Sequence, residues 1–150
     1  MNLIKSIDQY NINNIYLCDP IKNNVIVNGS FTRILYSTDI FTMNGVYLMI
    51  PFTEVTFEKY YQKYKCTFNM HHNLKTTNSL CEIECQLLQK VGSIIKNKTP
   101  QYQIQEQFKK SHVKIISDTT PNTNTFLLKI SGIWETETQY GVTYKFSAIS

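Results

Sequence analysis

The chain has 150 residues, 42% of them hydrophobic and 17% charged, enough for one compact domain with a core and too apolar for a disordered tail. No apolar run approaches the roughly 20 residues that cross a bilayer as a helix, so no membrane association is expected. The net charge of +4 favours polyanions mildly. Arg33 is the sole arginine among fifteen basic residues, a balance that argues against bidentate reading of guanine and fits lysine point charges along a phosphate backbone.

In chain order, residues 1–22 carry scattered apolar positions and read as an edge segment or extended lead-in. The first residues lack the long apolar centre and cleavage site of a signal peptide, so a reducing, intracellular compartment is expected. Cys18, Cys66, Cys81 and Cys85 then read as reduced thiols, not as a disulfide framework. An extended run from Val25 to Ser37 passes Gly29, a candidate bulge or bend. A second, Phe41 to Ile50, contains Asn44-Gly45, either a hairpin turn or a bulge, and Pro51 closes it.

The third run, Thr56 to Phe68, reads as one strand. Alternation then sets Tyr60, Tyr64, Cys66 and Phe68 on a core face and Lys59, Tyr61, Lys63 and Lys65 on a basic outer face. A helix is predicted over Ser79 to Lys96, opened by the capping-box spacing of Ser79 and Glu82, with an apolar stripe through Leu80, Ile83, Leu87, Val91, Ile94 and Ile95. Residues 102–110 fit a short polar helix or a strand equally well. His112 to Ser117 alternates as a strand, and Asp118 to Asn124 reads as a loop.

The last segment carries most information. Phe126, Leu128, Ile130 and Trp134 recur at even spacing, and Tyr140, Val142, Tyr144 and Phe146 repeat the pattern after a short polar connection, predicting a closing hairpin. Gly132 and Gly141 mark close strand approach or a bulge. Trp134, on the face of its apolar neighbours, is expected to support core or hairpin rather than stack on a ligand.

The order Lys129-Ile-Ser-Gly-Ile-Trp134, a polar turn, then Tyr140-Gly-Val-Thr-Tyr-Lys-Phe146 resembles the C-terminal signature of OB-fold single-stranded-DNA-binding proteins of large DNA viruses and related phages, closely over about 20 residues. The resemblance implies a fold signature, not a set of ligand contacts. With it, the expected fold is mainly β, a single OB-like domain over 1–150: a five- to six-stranded barrel with one helix between the third and fourth strands. The phage proteins typically end in a mobile acidic tail; the residues Ser147-Ala-Ile-Ser150 depart from that pattern, so tail-mediated partner recruitment is not part of the expectation.

No phosphate loop, His-Glu-x-x-His, nucleophile elbow or paired carboxylate cluster is present in the sequence, so no enzymatic activity and no cofactor are expected. His71, His72, Cys81 and Cys85, with Cys66 nearby, form the best metal set, but without Cys-x-x-Cys spacing they read as a loop feature and small buried hydrophobes, and no metal is assigned. The basic aromatic run is the sharper candidate, because lysines meet phosphates and an aromatic ring stacks a base for roughly 1–3 kcal/mol. The nucleic-acid-binding set is Phe31, Arg33, Tyr47, Lys59, Tyr61, Lys63 and Lys65, with the first three dependent on strand register.

The resulting expectation is sequence-independent binding of single-stranded DNA in viral replication, recombination or repair, at a replication site in host cytoplasm or nucleus. RNA is the second strand type to test, and replication proteins and a second copy of the chain are the further partners. The alternative is a non-enzymatic protein-interaction module of a virion or transcription complex, using exposed tyrosines and edge strands.

Overall fold

The computed structural model describes residues 4–23 and 29–149. The fold is mainly β, with one long helix. At its centre lies the C-terminal hairpin, β11 (Thr125–Glu135) against β12 (Gln139–Ala148), as the alternation predicts. Strand β11 serves two neighbours in turn. Its first half pairs antiparallel with β6 (Val46–Pro51), and its second half with β4 (Gly29–Ser37). Between the halves the register shifts around Ser131. That bulge corrects the expected face of Trp134: Phe126, Leu128 and Ile130 point inward, but after the bulge Ile133 takes the core position and Trp134 turns half outward.

The two glycines of the signature explain themselves locally. A Cβ on Gly132 would lie 2.2 Å from the Thr32 carbonyl oxygen and 2.6 Å from the Phe31 ring. One on Gly141 would lie 2.6 Å from the indole of Trp134, its cross-strand partner. Each glycine is a seat for an aromatic ring.

Around this centre the sheet spreads in both directions, twelve strands among the described residues, without closing into a barrel. On one side β1 (Lys5–Ser6) adds to β6, while β2 (Ile15–Leu17), β3 (Ile21–Asn23) and β5 (Thr42–Asn44) pair with β4. Residues 24–28 of the run read from Val25 lie outside the described residues. At Asn44-Gly45 the chain makes neither turn of a hairpin; Gly45, at φ +103°, bends it from a strand paired with β4 to one paired with β11.

On the other side come β12, β10 (His112–Ile116), β8 (Lys63–Phe68) and β7 (Val55–Tyr60). Here the one-strand reading of Thr56–Phe68 fails. The run is a hairpin turning at Tyr61-Gln62, with Tyr61 left-handed at φ +57°. One strand of thirteen residues would reach about 40 Å; folded in two it reaches about half that, and among the described residues β7 ends the sheet with one edge unpaired, so the expected barrel is not closed.

The helix α1 (Leu74–Gly92) covers the inner face with Leu80, Ile83, Leu87, Leu88 and Val91. It begins five residues before the predicted capping box. Asn69 Oδ1 accepts from the N–H groups of His71 and His72, and the buried Asn73 side chain ties the start to Thr53 and Asn69. It also ends before Ile94, which is exposed. Beneath it, Phe52 gathers Phe68, Phe108, Phe126 and Phe146, with ring centroids 4.8 to 6.4 Å apart.

The ambiguous residues 102–110 form a second helix, α2 (Gln103–Lys109), after the short β9 (Thr99–Gln101). Its first N–H groups, of Ile104 and Gln105, donate to the fully buried carboxylate of Glu84 at 2.8 and 3.1 Å. Burial raises the Glu84 carboxyl above its ordinary value, against the lowering effect of those two donors.

Candidate nucleic-acid interface

Residues directly opposite one another in a ladder project to the same face. Tyr47 of β6 pairs with Lys129 of β11, and Lys129 with Lys145 of β12. Strands β12 and β10 pair in parallel at Phe146/Ile115 and Ser147/Ile116; one step back in that register, Lys145 stands level with Lys114, and both line one cleft. Lys114 pairs with Lys65 of β8, and Lys65 with Glu58 of β7. The outer face therefore carries a row, Tyr47, Lys129, Lys145, Lys114, Lys65, Glu58, crossing six strands. With strands about 4.8 Å apart, its four lysines extend over roughly 15 Å.

A second row runs beside it. Ile116 pairs with Lys63, and Lys63 with Tyr60. At the hairpin tip Tyr60 and Tyr61 are 59% and 83% exposed, their rings 4.7 Å apart and nearly perpendicular, beside Lys63 and Lys114. Exposed rings next to ammonium groups are what a single strand can use. Lys129 Nζ sits 5.5 Å from the Tyr47 ring, a cation–π contact that holds the opposite end of the row.

Glu58, opposite Lys65, is the one carboxylate in the row. The ion pairs among the described residues, Lys98 with Glu135, Lys109 with Glu106 and His72 with Glu54, take none of its lysines. His112 registers the field: its imidazole is pushed below the usual histidine range by burial first, then by Lys65, Lys110 and Lys114. Its Nδ1 is buried with no hydrogen-bond partner among the described residues.

The site residues read from the sequence divide accordingly. Lys63, Lys65 and Tyr47 lie on the two rows, and Tyr61 at the exposed turn beside them. Lys59 is a correction: it pairs with Tyr64, so it projects to the side opposite Lys63 and Lys65, and Tyr60 takes the outer place once assigned to the core. Arg33 is exposed on β4 opposite Gly132, beyond the bulge; Phe31 is occupied covering Gly132. Sequence reasoning missed Lys114, Lys145 and Lys129 as partners of Lys65. Their outward alternation was visible, but the pairing that aligns them comes from strands up to 80 residues apart.

His71 and His72 precede α1, while Cys81 and Cys85 lie half-buried farther along it. Among the described residues no three His, Cys, Asp or Glu side chains converge as a metal-ion group would. Burial in the core pushes the Cys66 thiol up to about 12. No protein-family model, curated protein or solved structure matches the chain.

Proposed function

We propose that this protein binds single-stranded DNA without base specificity, in support of viral DNA replication, recombination or repair, and performs no chemical step. The carrying observation is the register-matched lysine row with tyrosines at its margins. A continuous positive stripe on a sheet gives each phosphate an ammonium partner and releases counterions on binding. Tyr60 and Tyr61 offer ring faces to unpaired bases, which a duplex keeps stacked inside. With one arginine in the chain, the face has no bidentate fork for reading guanine. The C-terminal resemblance agrees with this reading, and on it the protein would act at a viral replication site in host cytoplasm or nucleus beside replication proteins.

Fluorescence anisotropy with labelled oligo-dT, a duplex and a same-length RNA, on wild type and Tyr61→Ala, tests the proposal. Preference for oligo-dT, weakened about tenfold by Tyr61→Ala, supports it; equal binding of all three leaves only charge. One observation favours a protein-interaction reading as an alternative: among the described residues β7 has one edge unpaired over Val55–Tyr60, open to strand addition by a partner. Lys63→Glu with Lys65→Glu separates the two, abolishing strand binding in the first case and sparing a partner in the second.

A further inference from the structure

Strand β12 has β11 on one edge. Its other edge is shared by β9, parallel at Gln139–Gly141, and β10, parallel at Phe146–Ser147. Among the described residues the stretch between has no strand partner on that edge, and there the Tyr144 hydroxyl reaches across to Gln107 of α2. The result is a cleft between β10 and β12, about 530 Å³, within the ordinary range of small-ligand sites.

The chemistry of the lining is one-sided. Lys63, Lys110, Lys114 and Lys145 all border the cleft. Glu106, its carboxylate, is already paired with Lys109 at 3.3 Å. Gln103 Oε1 accepts from Trp134 Nε1 at 3.2 Å, and since an indole nitrogen only donates, the Gln103 amide presents its NH2 elsewhere. Gln107 Oε1 likewise accepts from the Tyr144 hydroxyl at 2.8 Å, and its NH2 has no partner among the described residues. Four ammonium groups thus border an open cleft beside two glutamines whose amide oxygens already accept hydrogen bonds, against the single carboxylate of Glu106.

We infer that this cleft binds a phosphate monoester, the group carried by a nucleotide or by the end of a DNA strand. A monoester brings close to two negative charges at neutral pH, against one for an internal diester. A terminal monoester therefore gains more from the four ammonium groups than an internal diester does. The nucleotide as bearer rests on the single-strand reading; the donor set alone points only to the phosphate.

Trp134 is the sole tryptophan and donates to Gln103, a residue of the cleft wall, so its fluorescence reports changes there without a labelled strand. The full chain is titrated with thymidine 5′-monophosphate, thymidine and sulfate. A saturable change with the monophosphate alone, lost in Lys110→Glu, is expected. In a second arm, oligo-dT with a 5′-phosphate, a 3′-phosphate or hydroxyl ends is compared by anisotropy; one phosphorylated end is expected to bind about tenfold tighter than hydroxyl ends, with Lys110→Glu removing the difference. No response to the monophosphate, or an equal response to sulfate, overturns the inference, whatever the strands do. A monophosphate response with no strand binding in any form retains the cleft as a mononucleotide site and overturns the sheet-face reading instead.

Discussion

The two hairpins of this sheet are built for opposite ends. The β11–β12 hairpin is central, flanked on both edges, and its glycines are covered by Phe31 and Trp134. The β7–β8 hairpin ends the sheet, turns through a left-handed tyrosine and leaves two rings in solvent. The first spends its aromatics on packing; the second holds them out at some cost in backbone conformation. Strain of that kind concentrates where a side chain must be presented. The lysine row links them, since it begins on the central hairpin at Lys129 and ends on the edge hairpin at Lys65.

The contrast can be broken most forcefully at Gly132. The Cβ of Gly132→Ala meets backbone, which cannot swing aside, so a loss of about 3 kcal/mol in urea denaturation is expected. Gly141→Ala meets only an indole and should cost less, about 1–2 kcal/mol. A similar loss for both would mean that the rings, not the backbone, set the limit.

Glu84 ties the start of α2 to α1, and Glu84→Ala leaves two N–H groups without their acceptor, a loss of about 2 kcal/mol. Its raised carboxyl also fixes a sign. The folded state holds that proton more tightly than the unfolded chain, so the stability Glu84 contributes is fully present below its ordinary value of 4.5 and is lost as pH rises through the raised value. Thermal melts across that range should therefore show wild type losing ground to Glu84→Gln as pH rises; a wild type that gains instead would contradict the assignment.

The smallest stability change is expected at the exposed tip. Tyr61→Gly relieves a left-handed residue worth about 1–2 kcal/mol but frees the unfolded chain by roughly 0.5–1 kcal/mol. Stability should stay level or rise slightly while oligo-dT affinity falls. A marked loss of stability would show that Tyr61 packs rather than presents itself.

Much of the architecture was legible because local alternation reports burial. The closing hairpin, the long helix and the strand from His112 all carried a clear period. What misled was a break in period that composition does not mark. Tyr60 and Tyr61 continue the apolar-basic alternation straight through a turn that has no glycine, proline or asparagine, so a hairpin read as a strand. The bulge at Ser131 likewise inverted Trp134 without altering the spacing around it. The candidate face suffered from the other direction: Lys63 and Lys65 were found by local pattern, but Lys114, Lys129 and Lys145 join them only through pairings between distant segments.

The central claim is that this row meets phosphates, and the salt dependence of oligo-dT binding tests it most directly. Single-strand binding should weaken linearly in log salt with a slope near −0.7 for each phosphate neutralised. Lys65→Ala with Lys129→Ala, at the two ends of the four-lysine row, should reduce that slope by about 1.4. An unchanged slope in the double variant would contradict the account, because the phosphates would then be met elsewhere on the molecule.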